Sequence, residues 1–273
     1  MAELVGAFAC SHGPLIIREW QRVPAEQKAR MAAGFRELAS RLEAARPDVL
    51  VVAAPDHWSN FFLDNVPAVC IGVGETHDGP PEPWMKDFPH REIPGDAPFA
   101  LHLARTALAQ GFEPSISHRL KLDHGFCIPL WRMALPRLPR IVPIALNSIE
   151  APMPSLARCY QWGSLLRKAI ETFPEPLRVA ILGTGGLSHS IGERTMGAIY
   201  EDFDRETIRL FGEKPEALIA YLEKELPSHG NGSEEVRNWL VAHGAAGGRG
   251  FELVDYLPVP TVIVGCGFAG WRV

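Results

Sequence analysis

Apolar residues along this chain follow two rhythms. Short continuous runs at 4–10, 48–54, 68–73, 140–146 and 178–182 are rich in Val, Ile, Leu and Ala, the pattern of strands buried on both faces. Between them, apolar positions recur at helical spacing. Met31, Phe35, Leu38 and Leu42 mark a helix over 25–45, which Pro47 ends. Further helices are predicted at 100–110, 155–172, 196–211, 215–225 and 234–243, and last strands at 251–256 and 261–264. The alternation predicts an α/β fold, one domain over 1–273, with a central, largely parallel or mixed sheet flanked by helices. A βαβ unit built from the first two strands puts their ends on the same edge of a parallel pair. Pro143 places its strand near a sheet edge. Residues 74–98 carry six prolines (80, 81, 83, 89, 94 and 98) and read as a long surface excursion without regular structure.

The chemistry collects at strand ends. His12 in Ala9-Cys10-Ser11-His12-Gly13-Pro14 and His57 in Ala54-Pro55-Asp56-His57-Trp58 each follow a buried strand, at the edge where open α/β sheets gather ligands and metals. Two imidazoles there invite a carboxylate. Glu234 and Glu235 open an amphipathic stretch whose Val236, Trp239 and Leu240 face inward. Glu235 lies one helical turn before Trp239 and shares its inward side, leaving Glu234 the more exposed; either also suits a helix N-terminus. Two histidines and a carboxylate with open positions form the ligand set of non-haem Fe(II) oxygenases, and the same set holds zinc in hydrolases. A metal site at the carboxyl edge of the sheet is expected. His189 closes the glycine-dense turn Gly183-Thr184-Gly185-Gly186-Leu187-Ser188, and His124 stands between Asp123 and Gly125. Asp56 and Asp123 either partner imidazoles or serve turns. His77, His90, His102, His118 and His243 read as packed or solvated, and His229 as part of a lid or of the surface.

Composition narrows the field. The chain has 273 residues, 47% hydrophobic and 22% charged, enough for a sizeable core. A net charge of −5 argues against a nucleic-acid or anionic-membrane surface. No apolar run approaches the roughly 20 residues of a membrane span, and the first ten residues lack the basic start of a signal peptide. The five cysteines are scattered with no Cys-x-x-Cys pair, so a reduced, cytoplasmic setting without disulfides is expected. A dinucleotide fingerprint, a phosphate loop and a Gly-x-Ser-x-Gly elbow are all missing.

Taken in order, Ser11-His12-Gly13-Pro14, Pro55-Asp56-His57 with Asn60-Phe61-Phe62, Leu122-Asp123-His124-Gly125, Gly185-Gly186-Leu187-Ser188-His189 and Glu235-Val236-Arg237-Asn238-Trp239 form a set. On them the chain resembles the class III extradiol ring-cleavage dioxygenases, the family of the protocatechuate 4,5-dioxygenase catalytic (beta) subunit, nearly end to end. The resemblance implies that His12, His57 and Glu235 bind Fe(II). It also implies that His189 is the acid–base residue, with His124 assisting. The implied reaction is meta cleavage of a catechol with O2, both oxygen atoms entering the product. Glu234 stands where many relatives carry another polar residue, and spacing to Trp239 favours Glu235 as the ligand. Two other readings stand beside this one: a zinc hydrolase on the same three residues, and a non-catalytic relative acting as an interaction module.

Within the family, protocatechuate, gallate-type acids, 2,3-dihydroxyphenylpropionate and aminophenols all fit as substrates. Arg18 or Arg237 could pair with a substrate carboxylate, and 264–270 could line the pocket. The excursion at 74–98 could cover the site or form an oligomer contact. A homo-oligomer, a dimer, is expected, and some relatives use a separate small lid subunit.

Overall fold

The apolar runs assemble into one sheet. The computed structural model describes residues 1–273. In chain order its strands are β1 (Glu3–Cys10), β2 (Val49–Ala54), β3 (Val69–Gly72), β4 (Thr76–Asp78), β5 (Glu92–Pro94), β6 (Ser115–Ser117), β7 (Arg140–Leu146), β8 (Arg178–Thr184), β9 (Phe251–Val259) and β10 (Val264–Trp271). The helices are α1 (Leu15–Arg18), α2 (Ala25–Ala45), α3 (Ala97–Ala109), α4 (His124–Met133), α5 (Leu156–Thr172), α6 (Glu201–Phe211), α7 (Pro215–Glu225) and α8 (Val236–Ala245). Eight strands form the main sheet in the order β6-β3-β7-β2-β8-β1-β10-β9, while β4 and β5 make a small hairpin. The central block β7-β2-β8-β1 is parallel, with antiparallel joins to β3 on one side and β10 on the other. This is the expected α/β domain with a mostly parallel, mixed sheet. No helix is long and apolar enough to cross a membrane. All five cysteines are buried and free.

Two apolar layers cover the sheet. One gathers Phe99, Leu166, Phe211 and Trp239 from α3, α5, α6 and α8; the other joins Phe35 and Leu38 of α2 to Phe126 of α4 and Phe268 of β10. The apolar stripe of α2 is buried as its spacing dictates, and its end turns on Arg46 in the left-handed region. Gly34 lets that helix sit on Phe268, whose ring lies 2.6 Å from where a Cβ would be.

Several expectations need correction. β1 and β2 are not neighbours, because β8 is inserted between them and pairs in parallel with both; the shared edge survives, now with three strand ends. Pro143 lies in an interior strand. It pairs with Val52 of β2, while on its other side the β3–β7 ladder runs from Val69↔Leu146 to Ile71↔Ile144 and stops one residue short of it. The run at 261–264 is mostly a short 3-10 turn, and the glycine-rich tail is itself the strand β10, buried throughout. α8 is buried on every face rather than amphipathic, since it lies between the sheet and α5. Glycines make that approach feasible: a Cβ on Gly163 would stand 2.1 Å from the Val241 carbonyl oxygen. The excursion at 74–98 is more ordered than its prolines suggest. It holds the β4–β5 hairpin and a short 3-10 turn, and it buries His77, Met85, Phe88 and Ile93.

Candidate active site

Three adjacent parallel strands deliver three histidines to one edge: His12 beyond β1, His57 beyond β2 and His189 beyond β8. His124 opens α4 and Glu235 immediately precedes α8. Folding brings all five together. His12, His57 and His124 each offer a ring nitrogen within 4.8 Å of the others. Glu235 Oε1 lies 3.4 Å from His12 Nε2 and 3.3 Å from His57 Nε2, and its Oε2 is 3.8 Å from His189 Nε2. His12 and Glu235 are almost wholly buried.

Hydrogen bonds decide which nitrogen of each ring is free. His12 Nδ1 meets Thr184 Oγ1 at 3.0 Å, and that hydroxyl donates its own hydrogen to the Gly125 carbonyl at 2.8 Å. Oγ1 therefore accepts from His12 Nδ1–H. His57 Nδ1 donates to Asp123 Oδ2 (3.2 Å), His124 Nδ1 to Glu82 Oε1 (2.7 Å) and His189 Nδ1 to the Leu187 carbonyl (2.9 Å). In the neutral form each of the four rings turns Nε2 inward, and those of His12, His57 and His189 lie against Glu235 oxygens. Nitrogens and oxygens opposed in this way need positive charge between them, either a metal ion or the proton that Asp123 and Glu235 favour on His57. Three donors bound at about 2.1 Å to one ion would stand roughly 3.0–3.4 Å apart, the spacing Glu235 Oε1 shows. His12 Nε2 is moreover buried with no hydrogen-bond partner. The residues fit a divalent metal.

Electrostatics agree. Burial by itself would lower His57, but the carboxylates of Asp123 and then Glu235 prevail and push it up to about 10. Burial lowers His12 despite Glu235. Glu235 is buried too, yet His12, His189 and His57 hold its carboxyl well below the usual range. The site is built to keep an anion beside positive charge.

Outer contacts hold these side chains in place. Gly186 N–H donates to Glu235 Oε2 at 2.7 Å. The β8 loop is clamped by α8, where Asn238 Nδ2 donates to the Thr184 carbonyl and Trp239 Nε1 to the Gly185 carbonyl, each at 2.9 Å. β10 bonds both loops through Ser11 N to Gly267 O and Leu187 N to Gly265 O. Asp204 of α6 accepts from the Ser188 amide and hydroxyl and from the Tyr256 hydroxyl; burial pushes its carboxyl up to about 7.

Among the sequence candidates, Asp123 does partner an imidazole, taking both the ring and the amide of His57. Asp56 instead accepts amides of Ser59, Asn60 and Phe61, a turn role. Glu234 pairs with Arg237, whose guanidinium also donates to the Pro154 carbonyl; that arginine is already committed within the fold. His229 stacks on Phe203 at 4.6 Å. Glu82, Thr184, Asp204 and Gly232 escaped notice, because only distant residues give them meaning. Gly232 offers the flat bed on which His189 lies: a Cβ there would stand 2.1 Å from its Nε2.

A family model described as the catalytic LigB subunit of aromatic ring-opening dioxygenase matches residues 6–267. The chain belongs to this family. Among curated proteins, the 2,3-dihydroxyphenylpropionate/2,3-dihydroxicinnamic acid 1,2-dioxygenase of Klebsiella pneumoniae (strain 342) is 35% identical over 155 residues, 55% of this chain and 46% of that protein. The enzyme of the same name from Cupriavidus pinatubonensis is 29% identical over 211 residues, 76% and 60% of the two chains. This LigB-family chain thus spans about half the length of the curated relatives it matches. An uncharacterized protein of Escherichia coli K12, known from its crystal structure, shares the fold with a TM-score of 0.63 at 17% identity, over 98% of this chain and 100% of that one.

Proposed function

We propose that the chain is a non-haem Fe(II) extradiol dioxygenase, acting over its full length on a catecholic compound. It opens the ring beside the two hydroxyls and places both atoms of O2 in the product. The observation that carries this reading is Glu235 Oε1 set within 3.4 Å of His12 Nε2 and 3.3 Å of His57 Nε2, with two further imidazoles alongside. His12, His57 and Glu235 would hold the iron. Bound there, it supplies a Lewis-acid centre that brings diol and dioxygen together.

The chain's own residues supply the rest. Leu187 fixes His189 with its hydrogen on Nδ1, so Nε2 takes a proton from a substrate hydroxyl and later returns it, work suited to an imidazole. His124 stacks on His57 with centroids 3.9 Å apart and presents a second basic nitrogen beside the same space. Burial of His12 and Glu235 keeps bulk water from their contact.

The similar enzymes are named for 2,3-dihydroxyphenylpropionate and its cinnamic counterpart, so catechols bearing a carboxylated side chain are the first substrates to test. Protein loaded anaerobically with Fe(II) is mixed with substituted catechols in an oxygen electrode, with absorbance tracking the ring-opened product. The expected result is oxygen uptake matched to product with at least one diol, and none with the His12→Ala protein. No uptake with any member of the panel refutes the reading.

A further inference from the structure

We infer that Glu82 is a positioning residue for His124, and that through it the excursion at 74–98 takes part in the chemistry of the site; the inference rests on the dioxygenase reading. Glu82 lies in Pro80-Pro81-Glu82-Pro83, where flanking prolines restrict the backbone to extended conformations. Its Oε1 accepts two bonds from the same residue, from His124 Nδ1 at 2.7 Å and from the His124 amide at 3.0 Å. No arginine or lysine pairs with it, and its second oxygen is buried without a partner. The carboxylate is committed to His124 alone.

This contact exceeds what helix capping requires. The cap of α4 is already supplied by Asp123, whose side chain accepts from the Gly125 amide. The ring bond does something else: an acceptor-only carboxylate requires the hydrogen on Nδ1, which leaves the Nε2 lone pair for the substrate side. The same turn brings Trp84 to 5.7 Å from the His124 ring. The base of the excursion is tied down, since Asp78 N donates to the Leu120 carbonyl, Leu122 N to the Asp78 carbonyl and Gly95 N to the Glu75 carbonyl. Glu82 is therefore held from outside α4 by a fixed wall, and imidazoles oriented by such outer carboxylates lose function when the partner is removed.

The test compares Glu82→Ala, Glu82→Gln, His124→Ala and the Glu82→Ala/His124→Ala double variant in the full chain. Positioning predicts a fall in kcat of about 10–100-fold for Glu82→Ala with KM little changed. It also predicts partial recovery in Glu82→Gln, and a double variant no slower than His124→Ala alone. Multiplying losses in the double variant would overturn the proposal. A second readout uses metal-free protein: ¹⁵N NMR of the His124 ring should show the Nδ1–H tautomer in the parent chain and a mixture in Glu82→Ala, and an unchanged tautomer refutes the role. If the parent chain consumes no oxygen, the dioxygenase reading fails while the NMR comparison still decides the place of Glu82.

Discussion

Replacing Gly232 by alanine tests how tightly the site is built. A Cβ at this position would lie 2.1, 2.2 and 2.4 Å from Nε2, Cδ2 and Cε1 of His189, against an ordinary contact that begins at 3.4 Å. The ring has to retreat by roughly 1 Å or more to restore normal packing. Gly232 does not adopt a positive φ, so alanine suits its backbone and the perturbation is steric alone. His189 is itself buried and tied to the Leu187 carbonyl, which leaves the ring little freedom to slide. Overpacking of this kind costs about 1–3 kcal/mol, and a misplacement near 1 Å at a reacting group lowers turnover about 100-fold. Thermal melting and kcat on the best catechol measure the two effects. The control is Gly232→Ala combined with His189→Ala: with the imidazole gone the methyl has room, so the double variant should match His189→Ala in both stability and rate. Turnover of Gly232→Ala within threefold of the parent chain refutes the clash as the cause, as does an undiminished stability loss in the double variant.

Other outcomes follow from the same contacts. Asp123→Ala removes the partner of His57 Nδ1 and its amide; bound iron, measured by elemental analysis after dialysis, should be retained about 10–100-fold more weakly. Burial raises the Asp204 carboxyl to about 7, so between pH 4 and 7 the folded chain holds a proton that the unfolded chain releases, and stability falls as pH rises across that window. Asp204→Asn removes this term. Denaturation of the two proteins should diverge in favour of Asn by on the order of a few kcal/mol over the same interval, and parallel curves would count against it. Gly163→Ala sets a methyl 2.1 Å from the Val241 carbonyl oxygen and 2.5 Å from the Ala245 amide. Since the atoms in the way are all backbone of α8, a loss of at least about 2 kcal/mol is expected in urea unfolding.

Much of this architecture is legible in one dimension because its determinants are local. The β-branched run before His57 and the apolar stripe of α2 give their elements directly, and the predicted helix at 25–45 matches the observed one end to end. The strand ends bearing His12, His57 and His189 follow from the same local signal, and Glu235 is separated from Glu234 by its spacing to Trp239. What stays hidden depends on distant partners. Nothing near Pro143 reveals that the β3 ladder ends beside it, and nothing near Glu82 announces a histidine 42 positions away. No strand is predicted over 265–270, where glycine, a poor strand former, recurs. That stretch is a strand, paired with β1 and β9, whose glycines at 265 and 267 make room for Asp204 and Trp239. Sequence alone also put β1 beside β2, since the inserted neighbour arrives more than a hundred residues later.

The anchored excursion has one more consequence, for traffic. A segment fastened at both roots to the body of the protein resists swinging as a unit. The segments that follow His57 and His189 carry the exposed apolar side chains Trp58, Phe62, Leu63, Ile191 and Met196. On the dioxygenase reading, these greasy side chains rather than the imidazoles would set how bulky a visitor can be.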